Sequence, residues 1–348
     1  MPGQISNLEP AYDYIGKNNW STPRLNHSGT KLGQRWILDY FCFNATDRTS
    51  DWWCYNLDKT LRDFPKIIDG PYFDVAATKF CENRIHGCGG KDVFGQDYIS
   101  SDALGLRTFL MRVYKTVHKY NGSIMLHSHV QFLPMSHGFI DMFAPGENTF
   151  HVLIKNFEHG YCEEIPPEQY QVDFNWKKAG VPYCHIIQYG RICRNVPAFK
   201  KLRNKVENYP EYALRALTPP ILHDFNTWAT FVYNPTVNHW WGLRKKLGLG
   251  GDADFTGYWE NKAVKPLDDK TYCSYYVINT PGAPYRRLLL FGNFNRTPVK
   301  AACKIDFNAL GIEKPVTVTE IWRNKTKKGV RNWTDHEIPL EAINDISA

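Results

Sequence analysis

The sequence predicts an α/β domain of the (β/α)8-barrel type followed by a C-terminal antiparallel β-sandwich. Three observations carry this. From residue 35 to about residue 222, continuous apolar runs alternate with amphipathic helical stretches, the pattern of a parallel sheet covered on both faces. The glycine-rich GLGGDAD at 248–254 interrupts that alternation. Beyond it come short alternating runs separated by turn residues, as in an all-β sandwich. The expected organisation is therefore an N-terminal arm or upstream fragment over 1–34, a barrel-like domain over 35–250 and a β-sandwich over 251–348.

Taken in order, the polar first thirty residues show no clear period. Strands are predicted at 35–43, 67–74, 123–130, 139–143, 182–188 and 216–222, and helices at 57–64, 103–120, 172–179 and 196–206. The helix over 103–120 is the clearest, because Leu106, Phe109, Leu110, Val113 and Val117 form one stripe at helical spacing. Six strands are two short of a closed barrel. Either two more sit in the polar start or the chain begins part-way through a barrel. After 250, strands are predicted at 255–259, 271–279, 286–293, 299–306, 316–322 and 336–340.

Composition narrows the function. Of 348 residues, 43% are hydrophobic and 15% aromatic, with 11 Trp and 20 Tyr. That fills a sizeable core and leaves flat amphipathic rings suited to stacking on sugars. The net charge of +7 is spread along the chain, and its densest cluster, KKLRNK at 200–205, reads as a solvated helix face. With no zinc-finger spacing, RNP-like motif or basic tail, nucleic acid is not expected as a partner. No apolar run reaches the length of a membrane span. No Walker or dinucleotide glycine pattern is present, so no cofactor is expected. The nine cysteines and the sequons at Asn19, Asn26, Asn44, Asn121, Asn295, Asn324 and Asn332 lean towards export. The start MPGQISNLEP lacks a signal peptide's basic and apolar regions, and a truncated N-terminus would reconcile the two. The sequence sets no oligomeric state.

The chemistry is expected where apolar strands end. Asp74 closes one strand and opens a long loop, AATKFCENRIHGCGG. Asp141 lies at a later strand end and Glu147 in the turn APGEN. Two carboxylates at a barrel mouth are the minimal equipment for glycoside hydrolysis, one as acid and the other at the anomeric carbon. Tyr72, Asn83, His86, His127, His129, His223 and Asp224 are expected around the substrate. Asp74 could instead cap a helix or form a salt bridge, Asp224 could equally cap a helix, and Glu147 could be a plain turn acid. His127 and His129 alternate on one strand, a metal-ligand pattern open to His86, Cys81 and Cys88, but zinc motifs show tighter pairs than this Cys-x6-Cys. No metal is expected. Cys81 and Cys88 are expected to shape the loop, as free thiols or as a disulfide.

At these residues the chain resembles a known family. The blocks YFD with CENRIHGCGGKDVFGQ, then LRTFLMRVYKTVHKYNG, IMLHSH and FIDMFAPGE resemble a glycoside-hydrolase-like family related to glycoside hydrolase family 123. That family is found mostly in long bacterial polysaccharide-degrading proteins. LHDF and GYWENKAV are similar to its passage from barrel to sandwich. The resemblance covers about residues 35–310 as short matches, and residues 83–89 are its most specific block. It implies a (β/α)8-type catalytic domain, a β-sandwich and a strand-end acid acting in glycoside cleavage. By analogy with α-galactosidase-like barrels, Asp74 matches the fourth-strand nucleophile and Asp141 or Glu147 the sixth-strand acid. The adjacent Asp-Glu pair of family 123 is absent, since Val75 follows Asp74, so that mechanism is not carried over.

Overall fold

A computed structural model of the chain describes residues 4–6, 21–31, 34–44, 46–74, 76–128, 132–174, 180–249, 253–283, 285–296, 300–313, 316–320, 325–330 and 336–339. The chain divides into two compact units, Met1–Pro145 with Lys177–Pro182, and Gly146–Trp176 with Tyr183–Ala348.

In the first unit, β1 (Gln4–Ser6), β2 (Ser21–Lys31) and β3 (Gln34–Phe41) form an antiparallel sheet in the order β1-β3-β2. Helix α1 (Thr46–Asp63) follows. Strands β4 (Tyr72–Phe73), β8 (Met125–His127) and β9 (Met142–Ala144) pair in parallel. Between β4 and β8 lie a small antiparallel sheet of β5 (Phe80–Cys81), β6 (Gly89–Lys91) and β7 (Asp97–Ser101), and helix α2 (Ala103–His118). Helix α2 buries the stripe expected of it: Leu106, Phe109, Leu110, Val113 and Val117 are all at most 1% exposed, each contributing about 1.5–3 kcal/mol of burial. Gly105 is required there, because a Cβ would stand 2.3 Å from the Phe43 carbonyl oxygen. A short helix, α3 (Pro134–His137), completes this unit.

The second unit begins with short helices α4 (Phe150–Lys155), α5 (Gly160–Glu163) and α6 (Pro167–Asp173). Strand β10 (Cys184–Ile186) pairs in parallel with β11 (Asn226–Trp228). Between these strands run α7 (Tyr189–Asn195), α8 (Arg203–Asn208) and α9 (Pro210–His223), and α10 (Asn234–Leu247) follows β11. The remaining strands pair antiparallel, β12 (Ala253–Thr256) with β14 (Thr271–Ile278) and β15 (Arg287–Asn293), and β13 (Val264–Pro266) with β16 (Lys300–Ile305) and β19 (His336–Pro339). Strands β17 (Val316–Glu320) and β18 (Lys325–Val330) form a two-stranded ribbon. Val264, Cys273 and Cys303 from β13, β14 and β16 make a common core with Ala263 and Leu310 from the adjoining turns.

The expected (β/α)8-type barrel, complete or cut short at its start, followed by a sandwich is corrected. The described residues form sheets of two or three strands mixed with helices, and no closed barrel is found among them. Two features of the chain account for the difference. Residues 35–43, expected as a barrel strand, supply β3, which pairs antiparallel with both neighbours. Residues 216–222, also expected as a strand, lie inside α9, which is buried nearly all round. A short apolar run bounded by turn signals does not distinguish a buried strand from a buried helix.

Candidate functional site

The three parallel strands of the first unit place Asp74 at a carboxyl end. Tyr72 pairs with Met125 and Phe73 with Leu126, so continuing the register by one sets Asp74 beside His127. On the far side of β8, His127 pairs with Ala144. The bend after β4 is held from both sides. The Ala76 N–H donates to the His127 carbonyl at 3.1 Å, and the Ala76 carbonyl accepts from His137 Nε2 at 3.1 Å. His137 Nδ1 in turn accepts from the Leu133 N–H at 3.1 Å. Only the neutral ring satisfies both contacts, and burial pushes the His137 pKa down to about 4.

The Asp74 carboxylate is 30% exposed, and its Oδ1 lies 3.9 Å from Nε2 of His127, a ring only 1% exposed. His127 Nδ1 is 2.6 Å from the Ala144 carbonyl oxygen. A carbonyl can only accept, so Nδ1 carries a proton, and Nε2 is the nitrogen presented to Asp74. The Tyr72 hydroxyl, on a ring 41% exposed, stands 3.5 Å from the same carboxylate oxygen. The result is a half-exposed acid at a strand end, with a fixed imidazole behind it and a tyrosine hydroxyl beside it.

The other expected site residues are placed as follows. Asp141 accepts from His118 Nε2 at 3.0 and 3.1 Å and from the Ile124 N–H at 2.8 Å, which ties the end of α2 to the start of β8. His86, Cys81 and Cys88 converge with Cys42, and their sulfur and nitrogen atoms all lie within 4.8 Å of one another. All four of these residues belong to the first unit. Every cysteine is a free thiol, so Cys81 and Cys88 shape the loop without a disulfide. Burial first, and then the neighbouring thiols, push the pKa of Cys42 well above the usual thiol range. The Asn83 side chain caps the turn, accepting from the Ile85 N–H at 2.9 Å. His129 lies outside the described residues.

Glu147 belongs to the second unit. Gly146 carries it at φ +129°, and a Cβ on Gly146 would stand 2.7 Å from the Ile186 carbonyl oxygen and 2.8 Å from the His185 ring. The Glu147 carboxylate is in contact with the Arg191 guanidinium on α7. His223 and Asp224 close α9. His223 is hydrogen-bonded to the Pro219 carbonyl at 2.8 Å and to the Tyr258 hydroxyl at 3.2 Å, and burial pushes its pKa down to about 4. Asp224 takes the left-handed position after the helix (φ 56°) and pairs with Arg244 at 3.0 Å and with the Tyr276 hydroxyl.

Cys42, His137 and Arg191 did not emerge from the sequence. The one available signal was Cys42 at the end of an apolar run. Among the described residues, no helix is long and apolar enough to cross a membrane. No family model matches the chain, and neither a curated protein nor a solved structure matches it.

Proposed function

We propose that the chain is a carbohydrate-active hydrolase in which Asp74 is the carboxylate that supports the anomeric centre. The observation that carries this reading is the placement of Asp74 with His127 and Tyr72 at the carboxyl ends of parallel strands, where open α/β sheets receive their ligands. In glycoside hydrolysis the bond from the anomeric carbon to the leaving oxygen breaks. The oxygen takes a proton, and water supplies the hydroxyl that ends on carbon. Asp74 is exposed enough to face the charge that develops on that carbon. His127 is too buried to meet a sugar and acts as a positioning residue, with Nδ1 anchored on Ala144 and Nε2 turned to the carboxylate. Tyr72 offers its ring to a sugar face. The resemblance of the 83–89 block to a glycoside-hydrolase-like family supports the same substrate class.

The test is a digest of plant, algal and bacterial polysaccharides, followed by Asp74→Asn on whichever is cleaved. Turnover is expected to fall by about 10²–10⁴-fold with sugar binding and melting temperature retained. Full hydrolysis by that variant sinks the assignment. Glycan binding with no product from the wild type would replace hydrolysis with a binding role. Glu147→Gln is the companion variant for the second carboxylate expected from the sequence.

A further inference from the structure

The loop that follows Asp74 folds into the small sheet β5-β7-β6, and almost nothing apolar holds it. Phe80, Val93, Phe94, Tyr98 and Ile99 are 40–93% exposed. What the sheet buries is a cluster of three thiols, Cys42 at 0% and Cys81 and Cys88 at 2% each. Three such small side chains supply too little core for a sheet of this kind, and small folds of this sort rely on cross-links or metals.

The cluster geometry is that of a coordination sphere. The Cys42 and Cys88 sulfurs are 3.6 Å apart, and Cys81 Sγ is 3.7 Å from His86 Nε2. A disulfide would need about 2.05 Å. A tetrahedral zinc ion, with bonds of about 2.3 Å to sulfur and 2.0–2.1 Å to nitrogen, sets neighbouring ligand atoms roughly 3.5–3.8 Å apart. The backbone is shaped to bring these groups together. The Asn83 carbonyl accepts from the N–H groups of Cys88 and Gly89 at 3.0 and 3.3 Å, doubling the chain back on itself. Gly87 takes φ +79°, and a Cβ on Gly89 would stand 2.1 Å from the Glu82 carbonyl oxygen. Hydrogen bonds also reach the sulfurs, as outer partners of metal ligands do. The Asn83 N–H donates to Cys81 at 3.5 Å, and Asn44 Nδ2 lies 3.2 Å from Cys88 and 3.0 Å from the Ser101 carbonyl.

We infer that Cys42, Cys81, His86 and Cys88 form a structural zinc site that staples the loop after Asp74 to the end of β3. Four protein ligands close the sphere, which fits a structural rather than a catalytic ion. Each ligating thiol gives up its proton to solvent as zinc binds.

The test uses the full chain, purified reduced, stripped with chelator and refilled with zinc or cobalt chloride alone. One zinc per chain is expected, with a rise in melting temperature on refilling. Cobalt should give the thiolate charge-transfer band and intense visible bands of a tetrahedral site. Zinc should protect Cys42, Cys81 and Cys88 from alkylation, read by peptide mass, and chelation should expose them. Cys88→Ser should lose the ion. His86→Cys serves as the second probe, independent of whether Cys88→Ser folds. It should keep the metal and shift the cobalt bands to those of four thiolates. Failure of the reduced chain to bind either ion overturns the proposal, as does an octahedral cobalt spectrum or unchanged alkylation of the three cysteines. None of these readouts depends on hydrolase activity.

Discussion

His185 sits at the centre of β10, and neither ring nitrogen has a hydrogen-bond partner among the described residues. The rings of Tyr161, Phe174 and Phe225 surround it at 5.3–6.1 Å. Burial alone pushes its pKa down to about 3. A histidine titrates near 6.5 in the unfolded chain. Between those values the unfolded state binds a proton that the native state does not, so this contribution to stability is present above about pH 6.5 and is lost as pH falls towards 3. From pH 8 to pH 5 the loss works out at about 2 kcal/mol.

His185→Leu removes that titration. It also removes two buried, unpaired nitrogens, worth about 1–3 kcal/mol, against about 1 kcal/mol for the change of shape. Stability at pH 8 should therefore stay level or rise by up to about 2 kcal/mol. The fall from pH 8 to pH 5 should shrink by about 2 kcal/mol. The assay is urea unfolding followed by tryptophan fluorescence at pH 8, 7, 6 and 5, for wild type and variant. An unchanged pH dependence would refute the reasoning. So would a loss of more than about 3 kcal/mol at pH 8, which would mean that the imidazole has a partner it cannot spare.

Three further substitutions probe the frame around the candidate residues. Gly146→Ala forces a side chain into φ +129° and against the Ile186 carbonyl, and should lower stability by about 2–4 kcal/mol in thermal or urea unfolding. Asp224→Ala strands Arg244, itself 11% exposed, in a site built for an ion pair, and should cost about 3–5 kcal/mol in the same measurement. Asp141→Ala frees His118 and the Ile124 N–H and should cost about 1–3 kcal/mol. It should leave turnover intact, so loss of activity without loss of stability would make Asp141 a participant in the chemistry.

How much of this could be read from the sequence depended on how local the physics was. The stripe of α2 was legible because five apolar residues at helical spacing allow one solution, and the helix buries all of them. Asp74 was legible as a strand-end acid because an apolar run stops at it. Helix α9 was not, because its Pro219–Pro220 pair and the largely apolar residues around it hide the helical period of a helix buried on most sides. The pairing of β3 was equally hidden, since nothing in residues 35–43 states whether the neighbours run parallel or antiparallel. The thiol cluster shows the limit most plainly. Cys81, His86 and Cys88 are close in sequence but make an incomplete ligand set, and their spacing argued against a metal. The fourth ligand, Cys42, lies on the far side of helix α1 and strand β4 in the chain. Gly105 lets α2 press against the Phe43 backbone, directly after that cysteine. A packing contact of α2 thus places the residue that completes the cluster, and no pattern confined to the loop could have announced it.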